Sequence, residues 1–362
     1  MPDSLGDIRS ATHRYEAWVG AQVRLVRRDV QAKHDLMTQG FFDFFRATFH
    51  RWAQHWPRVC GDLGRAPRVL AVGDLHAANF GTWHDKHDRL VWGVNDFDEA
   101  AELPYTQDLV RLATSVLVAI KERYLPLGAR DACRVLLEGY RAALDANGCP
   151  FVLAERHRKL REAVYLKRKD DPARFWKAAA QLRSAHRVPS DVLKIFRGAF
   201  SAQGEFRILT RQGGVGSLGR PRYVAVADAC GGRVGYELKA LVRSGFVWAN
   251  GGSPQGPTKV RAAYDLPIRS SDPQLHVHRK WLFRRFGPES GRLDLGQPMS
   301  RKASQMLLHA MGWETANVHL GSPGARARIT RNLSRRPRDW LFSTAVMFEE
   351  VMERDWLAWR RS

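Results

Sequence analysis

The 362-residue sequence predicts an α+β fold in two lobes, one mainly helical and one a small antiparallel β lobe. Three observations predict it. Aromatic and aliphatic residues recur at helical spacing through most of the first 200 residues and again after residue 300. Between them, residues 205–241 (EFRILTRQGGVGSLGRPRYVAVADACGGRVGYELKAL) alternate β-branched and aromatic residues with glycine turns, the texture of antiparallel strands. A hydrophobic fraction of 44% is enough for one large core or for two lobes of ordinary size.

The elements follow in order. Residues 12–56 read as helix: within KHDLMTQGFFDFFRATFHRWAQHW, Phe41, Phe44, Phe45, Phe49 and Trp52 recur near a 3.6-residue period, so that they face a core. RVLAVGD (68–74) and RLVWGVND (89–96) are short β-rich runs bounded by turn residues, a small β insertion that delivers its terminal carboxylates to one place. DLVRLATSVLVAIKERY (108–124) is an amphipathic helix, followed by more helix to about residue 200. Residues 205–241 supply three antiparallel strands, FVWANGGSPQGPTK (246–259) is a glycine- and proline-rich loop, and residues 300–362 return to helix. These spans divide the chain into a helical lobe at 1–203, a β-rich lobe at 204–290 and C-terminal helices at 291–362 that pack back on the helical lobe. No internal repeat is evident.

Composition bounds the function classes. The N-terminus lacks the apolar core of a signal peptide and no apolar run is long enough to span a bilayer, which predicts a cytoplasmic protein with no membrane span. Cys60, Cys133, Cys149 and Cys230 share no CxxC spacing, so the sequence predicts reduced thiols and neither a disulfide framework nor a zinc ribbon. A formal charge of +21 attracts polyanions, whether nucleic acid, phosphorylated small molecules or acidic lipid surfaces, and does not choose among them. Basic residues crowd into 156–169, 279–292 and 326–338; these runs read first as solvated helix faces and exposed loops and second as a dedicated nucleic-acid surface, so a nucleic-acid partner stays open. Twelve tryptophans lie mostly at helical spacing with other apolar residues, which points to core packing before base stacking.

The chemistry-bearing residues cluster in two places. AVGDLHAANFG (71–81) and VWGVNDFDE (91–99) set Asp74, His76, Asn79, Asp96 and Asp98 at the ends of two apolar runs within 25 residues. Phosphoryl transfer needs a carboxylate to orient the nucleophile's proton and oxygen ligands for Mg²⁺. Asp74 suits the first role, Asn79 and Asp96 the second, while Asp98 and Glu99 are placed to hold a second metal or its waters. Each motif alone also reads as a turn capped by Asp or Asn. The second cluster is GVGSLG, with Gly214, Gly216, Ser217 and Gly219 between two predicted strands, and Lys239 in the strand YELKAL. A glycine loop lets backbone amides approach phosphates, and a lysine on the next strand neutralises them. Because a strand, not a helix, follows the glycines, a dinucleotide-binding turn is disfavoured.

These residues carry a resemblance. GDLHAANF resembles the catalytic loop of the aminoglycoside phosphotransferase branch of the protein-kinase-like superfamily, and NDFDE resembles its metal-binding segment. GDLHAANFG, VNDFDEA, LPYTQDLVRLATS, GGVGSLG and ELKAL together resemble the bacterial family called domain of unknown function 2252, most strongly from Val69 to Ser115. The resemblance implies a two-lobed kinase-like fold using ATP and Mg²⁺. It implies Asp74 as base or orienter, Asn79 and Asp96 as metal-binding residues, and Asp108 as the brace of the catalytic loop. His76 falls where a histidine organises that loop without acting as base. Two departures stand out. The catalytic loop precedes the glycine loop by some 140 residues, which implies a circularly permuted order. No Glu occurs between Lys239 and Glu289 to pair with the lysine, leaving Asp265 or Asp272 as substitutes.

The expected activity is an ATP- and Mg²⁺-dependent phosphotransferase acting on an unidentified hydroxyl of a small molecule or protein. The alternatives are a catalytically weak nucleotide-binding pseudokinase, for which the absent Glu argues; a metal-dependent phosphoesterase, for which the Asp-x-His pair of GDLH argues; and a basic nucleic-acid-binding protein.

Overall fold

The structure is a computed structural model and describes residues 5–153, 155–164, 172–201, 204–229, 231–288, 291–292 and 299–361. The N-terminal third opens with α1 (Ile8–Gly20), α2 (Arg27–Gln39), α3 (Phe41–Ala47) and α4 (Phe49–Val59). A β insertion follows: β1 (Arg68–Ala71), β2 (Phe80–His84), β3 (Leu90–Val94) and β4 (Ala101–Pro104). Next come α5 (Tyr105–Lys121), α6 (Ala129–Asp145), β5 (Phe151–Val152), α7 (Arg158–Val164), α8 (Pro172–Ala180), β6 (Arg183–Ser184) and α9 (Ser190–Ala199). The β-rich segment holds β7 (Arg207–Thr210), β8 (Arg222–Ala229) and β9 (Gly232–Ala240), then α10 (Gly245–Ala249) and α11 (Val260–Asp265), then β10 (His276–His278), β11 (Trp281–Arg285) and β12 (Gly291–Arg292). The chain closes with α12 (Arg301–Leu320), α13 (Ala325–Leu333) and α14 (Trp340–Arg361).

The fold is mixed α+β, with helices outweighing, among the described residues, three antiparallel sheets: β1–β4, β12–β2–β3–β5 and β10–β11–β9–β8–β7–β6. Helical periodicity in 12–56 resolves into four helices, not one. Gly40 is extended at φ −134°, and at φ −119° Thr48 leaves the helical region while its hydroxyl donates to the Phe44 carbonyl at 2.7 Å, so the same apolar stripe folds around a corner. Helix does not run on to residue 200, since β5 and β6 interrupt it. The run 279–292, read as a helix face or loop, contains β11, whose Trp281 and Phe283 turn inward while Arg284 turns to the opposite face. The start of the loop at 246–259 is helical, as α10.

One large core joins α3–α6, α12 and α14 around the β insertion. The closest approach in it is between α6 and α12, where a Cβ on Gly139 would stand 1.9 Å from the His309 carbonyl oxygen and one on Gly312 1.9 Å from that of Leu136. The six-stranded sheet has its own faces. Ala225, Leu238, Ala240 and Phe283 pack on Val192 and Phe196 of α9 and on Phe200 just after it. Leu209, Val224 and Val226 on the other face pack on α8, so this packing unit begins before residue 204. Of the cysteines, Cys60 and Cys133 are buried free thiols and Cys149 is an exposed one; Cys230 lies outside the described residues. Among the described residues, no helix is long and apolar enough to cross a membrane.

One buried acid supports the strand that leads to the NDFDE turn. Glu314 of α12 accepts from the Val94 amide at 3.2 Å and from Asn317 Nδ2 at 2.9 Å, and burial pushes its carboxyl up to about 7 from 4.5. A native state that holds this proton longer than the unfolded chain loses stability as pH rises from about 4.5 to 7, by an amount on the order of a few kcal/mol. Glu314→Gln is expected to flatten that part of the stability–pH curve, measured by urea unfolding at a series of pH values.

Candidate functional site

The loop after β1 is held in one shape by its neighbours. Gly73 sits at φ +81°, where a Cβ would be 2.3 Å from the Glu99 carbonyl oxygen, so only glycine fits. Asp108, in the first turn of α5 and fully buried, accepts from the Val72 amide at 2.7 Å and the Gly73 amide at 2.9 Å. His319 Nε2 lies 3.1 Å from the same carboxylate, with Tyr140 on its other nitrogen at 2.8 Å. Ser115 Oγ accepts from the Ala77 amide at 2.9 Å. The loop is thus bolted to α5 before any ligand arrives.

Within that frame Asp74 is aimed by Arg111. The fully buried guanidinium donates through Nε (3.1 Å) and one Nη (2.7 Å) to Asp74 Oδ1, gives a further bond to the Phe45 carbonyl, and stacks 3.6 Å from the Phe45 ring. Asp74 Oδ2 turns toward the glycine loop, 3.6 Å from where a Cβ on Gly216 would be. Burial raises the Asp74 carboxyl above its ordinary value, and Arg111 opposes that rise.

Asn79 stitches the two loops together. Its Nδ2 donates to the carbonyls of Asp74 (3.2 Å) and Asp96 (3.0 Å), and its own carbonyl accepts from the Asn95 amide at 2.9 Å. That leaves Asn79 Oδ1 buried with no hydrogen-bond partner, and Asp98 Oδ1 is in the same condition. Two orphaned acceptor oxygens beside the Asp96 carboxylate are what a hard cation would complete. Among the described residues no group of three or more His, Cys, Asp or Glu side chains is arranged to hold a metal. The set here has one carboxamide and two carboxylates, and suits an ion that takes its remaining ligands from water and phosphate, as Mg²⁺ does.

The glycine loop and Lys239 face these residues across 140 positions of sequence. The Lys239 ammonium is 3.0 Å from Asp96 Oδ2 and also contacts Asp98. Arg220, just past the glycines, reaches Asp98 at 3.1 Å and Glu99 at 2.9 Å. Burial and the adjacent Asp96 raise the Asp98 carboxyl, against the pull of Lys239 and Arg220. Glu99 has Arg220 and Tyr15 on one oxygen and the Gly245 amide on the other, so it is fully engaged within the protein. Gly216 and Ser217 border the small cavity that Asp74, His76, Asn79, Asp96 and Asp98 line, and Gly214 borders a larger one. Gly219 lines neither: at φ +93° it packs on Val30, and its carbonyl accepts from the Val26 amide, a structural turn against α2.

The larger cavity, about 560 Å³, adjoins the small one at Arg46 and carries the opposite charge. Arg46, Arg211, Arg222, Arg269, Arg284 and Arg285 line it against Asp265 and Asp272. These two aspartates stand in its wall, whereas Lys239 is met by Asp96 and Asp98; Glu289 lies outside the described residues. Strand register makes the cavity's roof: Lys239 lies opposite Arg222, and Glu237, two residues along the same face, lies opposite Arg284. Burial alone would raise Glu237, but Arg222, Arg284 and Arg211 hold it well below its ordinary value. Glu237, Arg111, Arg220, Arg222 and Arg284 escaped sequence reasoning. The alternation in YELKAL, which puts Glu237 and Lys239 on one face, was the available signal.

The sequence pattern of a bacterial family described as "Uncharacterized protein conserved in bacteria (DUF2252)" matches residues 24–191, a span that includes both carboxylate loops and Asp108 but not the glycine loop or Lys239. No curated protein and no solved structure matches the chain.

Asp108→Asn would set an amide N–H against one of the backbone amides that the carboxylate now receives. It is expected to lower stability by roughly 3 kcal/mol. Denaturant unfolding measures this, and faster hydrogen exchange at Val72 and Gly73 would locate the loss in the loop.

Proposed function

We propose that this protein is an ATP- and Mg²⁺-dependent phosphotransferase, with a kinase-like site whose two halves occur in permuted order along the chain. The observation that carries the reading is the division of charge in one cleft. A pocket of carboxylates with two unpartnered acceptor oxygens, bordered by the glycine loop and met by the buried Lys239, shares Arg46 with an arginine-lined cavity. A cation bound to a polyphosphate has this same polarity.

Asn79, Asp96 and Asp98 would hold Mg²⁺, which supplies charge neutralisation on the transferring phosphate. Lys239 and the backbone of residues 214–217 face the phosphates, and the arginines around Glu237 take the rest of the chain. In transfer, the acceptor oxygen bonds to the terminal phosphorus and the bond to the bridging oxygen breaks. The acceptor's hydroxyl proton passes to Asp74 Oδ2, while Arg111 keeps Oδ1 fixed. A phosphoesterase with two metals is less well supported, because its ligand set needs histidines and carboxylates in a cluster that the described residues lack.

Mg²⁺ with ATP is expected to raise the melting temperature more than either alone, with about 2.7 kcal/mol of stabilisation at 100 times the dissociation constant. Asp96→Asn should lose the metal-dependent part of the shift. Asp74→Asn should keep the shift and slow turnover by roughly 100- to 10,000-fold. Absence of any shift with nucleotides and either Mg²⁺ or Mn²⁺ would remove the reading, and equal loss of binding in both variants would reverse the two roles.

A further inference from the structure

The cleft leaves most of the +21 charge unexplained. Much of the remainder is concentrated on the helical side of the molecule. Between Glu314 and Asp339 the chain has no acidic residue, yet Arg326, Arg328, Arg331, Arg335, Arg336 and Arg338 fall in 13 consecutive positions. All but Arg336 are exposed. Elsewhere on this surface basic side chains meet carboxylates: Arg130 with Asp339, Arg134 with Asp131 and Glu138, Lys121 with Glu349 and Glu353. On α13 they do not. Arg326 and Arg328 bond only to main-chain carbonyls, at Asp145 and at Gly324 and Pro323.

This patch continues onto α6. Arg326 ties α13 to the end of α6, and a groove of about 440 Å³ beside it is lined by Arg130, Arg134 and Arg141 of α6 and by Arg338, with Asp339 pairing Arg130 and Glu138 pairing Arg134. Of the aromatic rings nearby, Trp340 is buried with Arg336 over it, and Arg130 lies over the half-buried Phe342. A surface of exposed guanidinium groups, those of α13 with no carboxylate partner among the described residues, suits a row of phosphates before stacked bases.

We propose that α13, the turn at 334–338 and the facing side of α6 form a docking surface for the phosphate backbone of a double-stranded nucleic acid. The surface is separate in residues from the cleft and does not depend on how the cleft is read. Because guanidinium–phosphate contacts release counterions, log affinity falls with log salt by about 0.9 per phosphate engaged.

The test is fluorescence anisotropy of a labelled DNA duplex titrated with the full-length protein between about 50 and 200 mM salt, alongside single-stranded DNA of the same sequence and phosphatidylglycerol vesicles. The proposal expects sequence-independent duplex binding. It also expects that the combined substitution Arg328→Gln, Arg331→Gln and Arg335→Gln weakens binding and lowers the salt slope by about 2 to 3. An unchanged melting temperature shows that this variant folds, and an unchanged Mg²⁺–ATP shift shows that the cleft is untouched. Duplex affinity equal to the parent's in the triple variant overturns the proposal. So does preference for vesicles or for the single strand, and so does failure of the parent to bind the duplex at the lowest salt.

Discussion

The structure depends on a set of ion pairs buried where the six-stranded sheet meets the β insertion. Lys239 and Arg220 project from the sheet and its glycine loop, and Asp96, Asp98 and Glu99 project from the turn after β3. All but Asp96 are under a tenth exposed. Removing one partner from such a set leaves an uncompensated buried charge, typically a loss of 3 to 5 kcal/mol, whereas the intact set gives modest net stability. What it gives reliably is position, because each of the five groups meets opposite charge across this junction. The sheet and the carboxylate loops are therefore held face to face, and the cavities between them follow.

Two further braces keep the carboxylate side rigid. Asp108 holds the turn at Val72 and Gly73, and Glu314 holds the end of β3, so both loops are anchored from beneath by long helices in the main core. Asn79 then joins loop to loop with both of its amide hydrogens on backbone carbonyls, and its oxygen is left over because no donor remains within reach. Orphaned acceptors in an otherwise satisfied network mark where the fold stops serving itself. Glu99 shows the contrast: it sits in the same turn, yet its oxygens are consumed by Arg220, Tyr15 and Gly245.

Charge is sorted by place. Around Glu237 three arginines share one carboxylate, which packs excess positive charge into the cleft at low cost, since each guanidinium retains a buried partner. On α13 the arginines are spaced along an exposed surface and stay hydrated, so they need no partner to be stable. The first arrangement requires a fold to assemble it, and the second is written directly in the sequence run.

Much of the fold was legible from local pattern. The strands at 68–71 and 90–94, the hairpins of β7, β8 and β9, the helix from Tyr105 and the C-terminal helices all follow from periodicity and turn residues. The short strands β2, β4, β10 and β11 were not, since three to five residues carry too little periodicity to stand out. In the site, residue types at loop ends singled out Asp74, Asn79, Asp96 and Lys239, because carboxylates and carboxamides at the ends of apolar strands are locally unusual. Gly219 shared the motif of Gly214 and Gly216 but serves a turn against α2, a distinction set by its packing on Val30 and its bond from the Val26 amide. By itself, then, the sequence determined the elements and the chemistry available at their ends, since both are set by neighbours in the chain. Tertiary structure decided which charges meet: that Lys239 answers Asp96 and Asp98 in place of a helix glutamate, that Arg111 aims Asp74, and that Glu237 gathers Arg211, Arg222 and Arg284. Pairing of buried charges is a long-range, all-or-none condition, satisfied only when distant segments close on one another.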